Sequence, residues 1–117
     1  MVLESFRDLI VWQRAMQLTL VIYRSTKSFP PDERFGLTNQ LRRAGVSVAS
    51  NIAEGYGRMS KGEYKQFLGM ARGSNLEVQT QLLIARELGF GSGPELVKAE
   101  GYSIEVGKML TSLMQSL

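Results

Sequence analysis

The sequence predicts an all-α fold, an antiparallel up-and-down four-helix bundle that forms a single domain over residues 1–117. Apolar residues recur every three or four positions, which is the spacing of an amphipathic helix, and no segment alternates in the manner of a strand. The three prolines fall where they divide the chain into segments of helical length. A chain of 117 residues has room for one hydrophobic core, so one domain is expected.

Prolines and glycines set the predicted helix boundaries. Pro30 and Pro31 cannot continue a helix and therefore end the first segment, whereas Pro94 suits the first turn of the last one. Gly55-Tyr56-Gly57 follows a helix and has no phosphate-loop pattern around it, so we interpret it as a helix end and turn. The expected helices span residues 6–27, 32–56, 60–88 and 94–116.

Two helix starts carry a capping signature. Ser60 is followed three residues later by Glu63, and Ser92 is followed by Glu95 in the same way. In a capping box the serine hydroxyl accepts a hydrogen bond from the backbone N–H three residues on. The sequence therefore predicts side-chain caps at the third and fourth helices. Because the linkers are short, consecutive helices are expected to run antiparallel.

The first helix carries two apolar stripes, separated by roughly 130° on a helix of 100° per residue. One stripe consists of Leu9, Trp12, Met16, Leu20 and Tyr23, and the other of Val11, Ala15, Leu18 and Ile22. Two stripes suggest that one faces the core and the other faces a second copy of the chain. The alternative is one broad core face. We favour the first interpretation, which predicts a homo-oligomer.

The other three helices show one main stripe each. The second helix also has a side of small residues, which suits a subunit interface or simply favours helix formation. The main stripes are, in chain order, Leu37, Leu41, Ala44, Val48 and Ile52; Tyr64, Phe67, Ala71, Val78, Leu82 and Ala85; and Ala99, Val106, Leu110, Leu113 and Leu117. The small side of the second helix comprises Val46, Ala49 and Ala53.

Composition argues against most catalytic chemistry. The chain has no cysteine and no histidine, which removes thiolate chemistry, the commonest general base and the commonest metal ligand. We therefore predict a non-enzymatic protein without a cofactor. No apolar run approaches the ~20 residues that span a bilayer, and the N-terminus lacks a secretory pattern, so a cytoplasmic protein with no membrane partner is expected.

A polar set lies near the expected contact of the second and third helices. It comprises Asn51 and Glu54 on one helix and Ser74 and Glu77 on the other. One interpretation is a set of buried hydrogen bonds that fixes the helix register, because such groups are costly to leave unsatisfied. The alternative is a carboxylate site at Glu54 and Glu77. We favour the structural interpretation, because a di-metal bundle needs Glu-x-x-His pairs.

A basic set offers a second candidate site. Lys61, Lys65 and Arg72 share one side of the third helix. Further positive charge comes from Arg42, Arg43 and Arg58. Together with the net charge of +3, this set could bind phosphates. The alternative is a solvated face that serves solubility.

Several stretches resemble a known family of four-helix bundles. They are QLRRAGVSVASNIAEG at 40–55, FLGMARGS at 67–74 followed by Glu77, LIVW at 9–12, and Phe29-Pro30 followed by Glu33 and Gly36-Leu37. The resemblance is to the family of proteins encoded in intervening sequences of bacterial 23S ribosomal RNA genes. It covers almost the whole chain.

The resemblance implies a four-helix protomer in a ring-like homopentamer. A related accessory protein of diversity-generating retroelements binds nucleic acid and partners a reverse transcriptase. We carry over the motif residues Asn51, Glu54, Gly55, Ser74 and Glu77 as architectural and not catalytic. The leading hypothesis is a homo-oligomer that binds RNA or a nucleic-acid-processing partner. The alternative is a protein-interaction scaffold without a nucleic-acid ligand.

Overall fold

The computed structural model describes residues 3–117 and consists of four helices. They are α1 (Ile10–Thr26), α2 (Leu37–Tyr56), α3 (Lys61–Glu87) and α4 (Gly93–Ser116), and no strand occurs among the described residues. The molecule measures 43 × 24 × 21 Å along its principal axes. The prediction of an all-α, four-helix fold is confirmed. The first two residues of the predicted domain lie outside the described part.

The first two helices begin later than the sequence predicts. A 3₁₀ turn at Phe6–Asp8 is separated from α1 by Leu9, whose backbone is extended. A second 3₁₀ turn at Pro31–Glu33 precedes α2. The carboxylate of Glu33 accepts a hydrogen bond from the Leu37 N–H at 3.0 Å and so satisfies one free donor at the start of α2. Apolar spacing alone does not reveal these breaks.

One of the two predicted side-chain caps forms. Ser60 Oγ accepts the Glu63 N–H at 3.1 Å, which confirms the cap of α3. The prediction for Ser92 is wrong, because its side chain makes no capping bond and α4 begins at Gly93. Pro94, in the first turn of α4, has no N–H and so leaves fewer donors to satisfy there.

Each helix packs against two neighbours. α1 and α3 both contact α2 and α4, and among the described residues the pairs α1–α3 and α2–α4 lie diagonally apart. On α2 and α3, Gly55 lies beside Phe67 and Gln40 contacts Gln81, so residue numbers rise along one helix as they fall along the other. No helix in the described part is both long and apolar enough to cross a membrane.

On α1 the core is formed by the second predicted stripe. Ala15, Leu18 and Ile22 are fully buried. The first stripe divides: Leu9 is buried, Trp12 and Met16 pack partly on the core, and only its last two residues, Leu20 and Tyr23, are exposed. The surplus apolar surface of α1 is therefore smaller than the pattern suggests.

The main stripes of the other helices form the core largely as predicted. Every member of the α2 stripe is buried, and Ala49 is also buried within the bundle, whereas Val46 is exposed. The ends of the stripes on α3 and α4 are only partly buried. These partly buried residues are Tyr64, Phe67, Leu113 and Leu117. Leu68 and Leu96 add core contacts that the stripes omitted.

Candidate nucleic-acid interface

The α2–α3 contact is close at Gly55. A Cβ atom at this position would lie 2.9 Å from Phe67 Cβ and 3.2 Å from Tyr64 Cδ1, closer than side chains normally approach. Gly55 is buried in the last turn of α2, which ends at Tyr56 and is capped by Gly57, so the interpretation of Gly55-Tyr56-Gly57 as a helix end and turn is confirmed. Glycine is needed here because the neighbouring helix occupies the space of a side chain.

Two tyrosines meet beside this contact. The rings of Tyr56 and Tyr64 pack edge to face, with centroids 6.4 Å apart. Burial, and to a lesser degree the proximity of Tyr56, raises the pKa of the Tyr64 hydroxyl above its ordinary value. Tyr64 therefore favours its neutral form in the folded protein.

A hydrogen-bonded chain joins α2 to α3 farther along. Ser47 Oγ and Ser74 Oγ lie 2.9 Å apart, and Asn51 Nδ2 donates to Ser47 Oγ at 3.0 Å and to the Ser47 carbonyl at 2.9 Å. Asn51 thus reaches Ser74 through Ser47 and not directly. These bonds fit the interpretation in which the polar set fixes the helix register.

The two glutamates of the polar set do not form a site. Both Glu54 and Glu77 are exposed. Since Gly55 lies beside Phe67, Glu77 is about nine to ten residues along α3 from the level of Glu54, or roughly 14 Å at 1.5 Å per residue. Among residues 3–117, no group of three or more acidic residues is placed to hold a metal ion. Glu54 and Glu77 are therefore too far apart to form the carboxylate site of the alternative interpretation.

A polar groove runs between the outer sides of α2 and α3. It encloses about 480 Å³. Gln81 lines it and is only 8% exposed, yet its Oε1 has no hydrogen-bond partner, and its Nε2 lies 3.5 Å from Gln40 Oε1. The other polar residues that line this groove include Arg43, Ser47, Ser74 and Glu77.

The predicted basic residues do not form one surface. Arg42 is engaged at the end of α1, where its Nε donates to Thr26 Oγ1 at 2.8 Å and its guanidinium lies 4.8 Å from the centre of the Tyr23 ring. Arg43 lines the polar groove on the α3 side of α2. Arg58, after the end of α2, stacks over the Phe67 ring at 4.4 Å.

Lys65 and Arg72 are brought together on the side of α3 that faces α4. They line a cavity of about 260 Å³ with Thr111 and Met114. Arg72 and Lys108 line an adjoining groove of about 480 Å³. Lys61 is exposed on the same side of α3 by helical geometry. We call Lys61, Lys65, Arg72 and Lys108 the basic edge; sequence reasoning missed Lys108.

The ion pairs found among residues 3–117 lie away from the basic edge. Among the described residues, Glu105, Glu63 and Glu100 pair with Arg14 at 2.7 Å, Arg58 at 4.0 Å and Arg86 at 2.9 Å, respectively. None of these pairs includes a member of the basic edge. Its positive charge is consequently available to an external anion.

Two buried hydrogen bonds between α3 and α4, which we call the polar lock, were also not predicted from the sequence. Asn75 Nδ2 donates to the Ser103 carbonyl at 2.9 Å, and Ser103 Oγ donates to Asn75 Oδ1 at 2.8 Å. A Cβ at Gly107 would lie 3.2 Å from Asn75 Nδ2, so this glycine leaves room for the amide. The sequence does contain a signal for the burial of Asn75, because this residue lies at core spacing between Ala71 and Val78.

Comparison with known proteins identifies the family. The fold resembles a solved structure described as a protein with unknown function from the S23 ribosomal protein family from Bacteroides thetaiotaomicron VPI-5482, with a TM-score of 0.79 and 20% identity over 89% of this chain and 97% of that chain. No curated protein matches the sequence. The profile described as 23S rRNA-intervening sequence protein matches residues 7–112. This chain therefore belongs to the 23S rRNA-intervening sequence protein family.

Proposed function

We propose that this protein is a non-enzymatic, antiparallel four-helix bundle that assembles with copies of itself and binds RNA or a ribonucleoprotein partner. The observation that carries the RNA proposal is the basic edge, where Lys65, Arg72 and Lys108 line adjoining grooves without a carboxylate partner. Membership of a family named for an intervening sequence of 23S rRNA agrees with an RNA ligand.

The size of the basic edge sets the expected strength of binding. Four cations that each neutralise a phosphate release condensed counterions, so log K should fall against log salt with a slope of about −3 to −4. This electrostatic binding is moderate and insensitive to sequence. Discrimination among RNAs would have to come from other residues.

A titration with structured RNA at two salt concentrations tests the proposal. The variant Lys65→Glu/Arg72→Glu should weaken binding at least tenfold at low salt and flatten the salt slope by about 2. Lys27→Glu/Lys98→Glu is the matched control, because it changes the net charge equally at two exposed lysines off the basic edge. Absence of binding at low salt, or equal loss in both variants, would contradict the proposal.

Two exposed apolar patches support self-association. The α1–α2 patch consists of Leu20, Tyr23 and Val46, and the α3 patch consists of the end residues Leu83, Ile84 and Leu88, which line a cavity of about 380 Å³. The patches lie on different helices and are not alike. Contact between two unlike patches is heterologous and closes into a ring when the rotation permits. The number five comes from the family resemblance.

Mixing two variants tests this mode of assembly. The wild type should sediment as a multiple of 13.1 kDa, whereas Val46→Asp and Leu83→Asp should each remain monomeric. A mixture of the two should form heterodimers and nothing larger, because only one intact pair of patches remains. A wild-type monomer at micromolar concentration would contradict self-association, and a mixture that stays monomeric would contradict the heterologous mode.

A protein-interaction scaffold is the second candidate function. The apolar cavity beside Leu83, Ile84 and Leu88 favours it, since such a cavity can accept an apolar side chain of a partner. Affinity capture with and without nuclease separates the two functions. Partners that survive nuclease treatment and are lost in Leu83→Asp favour the scaffold, whereas partners that depend on RNA favour the first proposal.

A further inference from the structure

The polar groove between α2 and α3 contains a buried acceptor with an unmet hydrogen bond. Gln81 is more than nine-tenths buried, its Oε1 has no partner, and its Nε2 contact with Gln40 is long at 3.5 Å. A buried acceptor without a partner destabilises the folded state, so a packing role would be served better by an apolar residue. Gln81 is better explained by a donor from outside the chain, which reaches the covered Oε1 when the side chain turns toward the groove that it lines.

Two opposite charges face the same groove without meeting. Gln40 contacts Gln81 and Ser47 contacts Ser74, and this register places Arg43 opposite Glu77. Both residues line the groove, yet among the described residues they form no ion pair. A ligand that lies between them would meet a guanidinium donor on one side and a carboxylate acceptor on the other.

The arrangement of donors and acceptors selects the chemistry of the ligand. The Glu77 carboxylate and Gln81 Oε1, one helical turn apart on α3, accept hydrogen bonds, and Arg43 donates them. Guanine presents two adjacent donors, N1–H and N2–H₂, beside the acceptors O6 and N7, and arginine is a common partner of those acceptors. Adenine and uracil each lack such a pair of adjacent donors.

We propose that this groove binds an unpaired guanine base, with Glu77 and Gln81 accepting from its Watson–Crick edge and Arg43 donating to O6 or N7. The volume of about 480 Å³ lies within the range of small-ligand sites and is sufficient for a base with its ribose. The proposal deepens the proposed function: the basic edge holds phosphates on one side of α3, and this groove reads a base on the other.

Nuclear magnetic resonance titrations with free nucleotides test the groove independently of RNA binding. GMP should shift the side-chain amide signals of Gln81 and Gln40 and the backbone signals of Ser47 and Glu77. IMP lacks the 2-amino group and should bind about tenfold more weakly, and UMP should leave these signals unchanged. All three carry the same ribose phosphate, so shifts common to the three report binding of that group and not of the base.

Matched variants connect the ligand to the named side chains. Gln81→Met should raise Tm by roughly 2–4 °C, because it removes an unsatisfied buried acceptor, and should weaken GMP binding at least tenfold. Gln79→Met is the control on the α4 side of α3 and should leave GMP binding unchanged. Glu77→Gln should abolish the preference for GMP over IMP, since it removes a carboxylate acceptor.

The possible outcomes separate this inference from the proposed function. Equal response to GMP, IMP and UMP, or no response in the groove, overturns the guanine site even if RNA binds the basic edge with the expected salt slope. If the signals of groove residues shift with protein concentration but not with GMP, the groove is an interface between copies of the chain, and the guanine site is overturned. A GMP-specific shift without any RNA binding supports the guanine site and overturns the proposed function.

Discussion

The two contacts that flank α3 differ in how closely the helices approach. On the α2 side, Gly55 and the Ser47–Ser74 pair bring the backbones together. On the α4 side, one buried amide, Asn75, lies between the helices and is held by Ser103, and cations line the outer edge. Small residues thus mark the contact that fixes the register, whereas the open contact presents charge to the solvent.

The largest expected effect on stability comes from adding one methyl group to a glycine, and it should differ between the two contacts. Gly55→Ala places Cβ 2.9 Å from Phe67 Cβ and should cost about 2–3 kcal/mol of unfolding free energy. Gly69→Ala meets only Met114 Cε, at 3.9 Å, and should be neutral or stabilising by up to about 1 kcal/mol. Urea unfolding at equal protein concentration measures both. Similar losses in the two variants would remove the distinction between the contacts.

The second effect concerns the polar lock on the α4 side. Asn75→Ala should cost about 2–3 kcal/mol, because it removes both bonds to Ser103 and leaves a void, whereas Ser103→Ala should cost about 1 kcal/mol. The double variant should lose less than the sum, with a coupling of about 1 kcal/mol. Additive losses would show that the two side chains do not act as one unit.

The smallest effect concerns the tyrosine pair on the α2 side. Burial raises the pKa of Tyr64 above its value in the unfolded chain, so the unfolded state loses this proton first as pH rises. Stability from Tyr64 is therefore fully present below about pH 10 and falls as pH rises through the pKa of the folded protein. Thermal unfolding from pH 8 to 11 should show a shallower decline for Tyr64→Phe. Identical declines would contradict this assignment.

Helical periodicity predicted the parts of the fold that repeat along one helix. Every member of the stripe on α2 is buried, because a residue that recurs on one face of a helix meets the same neighbour at each turn. Periodicity could not show that Leu9 is extended, since a local break leaves the spacing of apolar residues unchanged. It also could not divide the first stripe of α1 between core and surface.

The candidate site was predicted less completely, because it depends on contacts between helices. Arg42 is bonded to α1, and Arg43 faces α3, although the two are neighbours in sequence. Lys108 joins Arg72 only through the packing of α4 on α3. The burial of Asn75 could not be predicted, because a polar residue at core spacing looks like an interruption of the apolar stripe. Its role becomes clear only from the hydrogen bond to Ser103 on the neighbouring helix.

Lysine footprinting is the most direct test of the claim that the basic edge, and not the other basic residues of the chain, binds RNA. The protein is acetylated with and without bound RNA, and each lysine is quantified by mass spectrometry. Lys61, Lys65 and Lys108 should be protected severalfold by RNA, while Lys27 and Lys98 serve as internal controls and should react equally in both samples. Protection of Lys27 and Lys98 to the same degree, or bound RNA with Lys65 and Lys108 unprotected, would contradict the account.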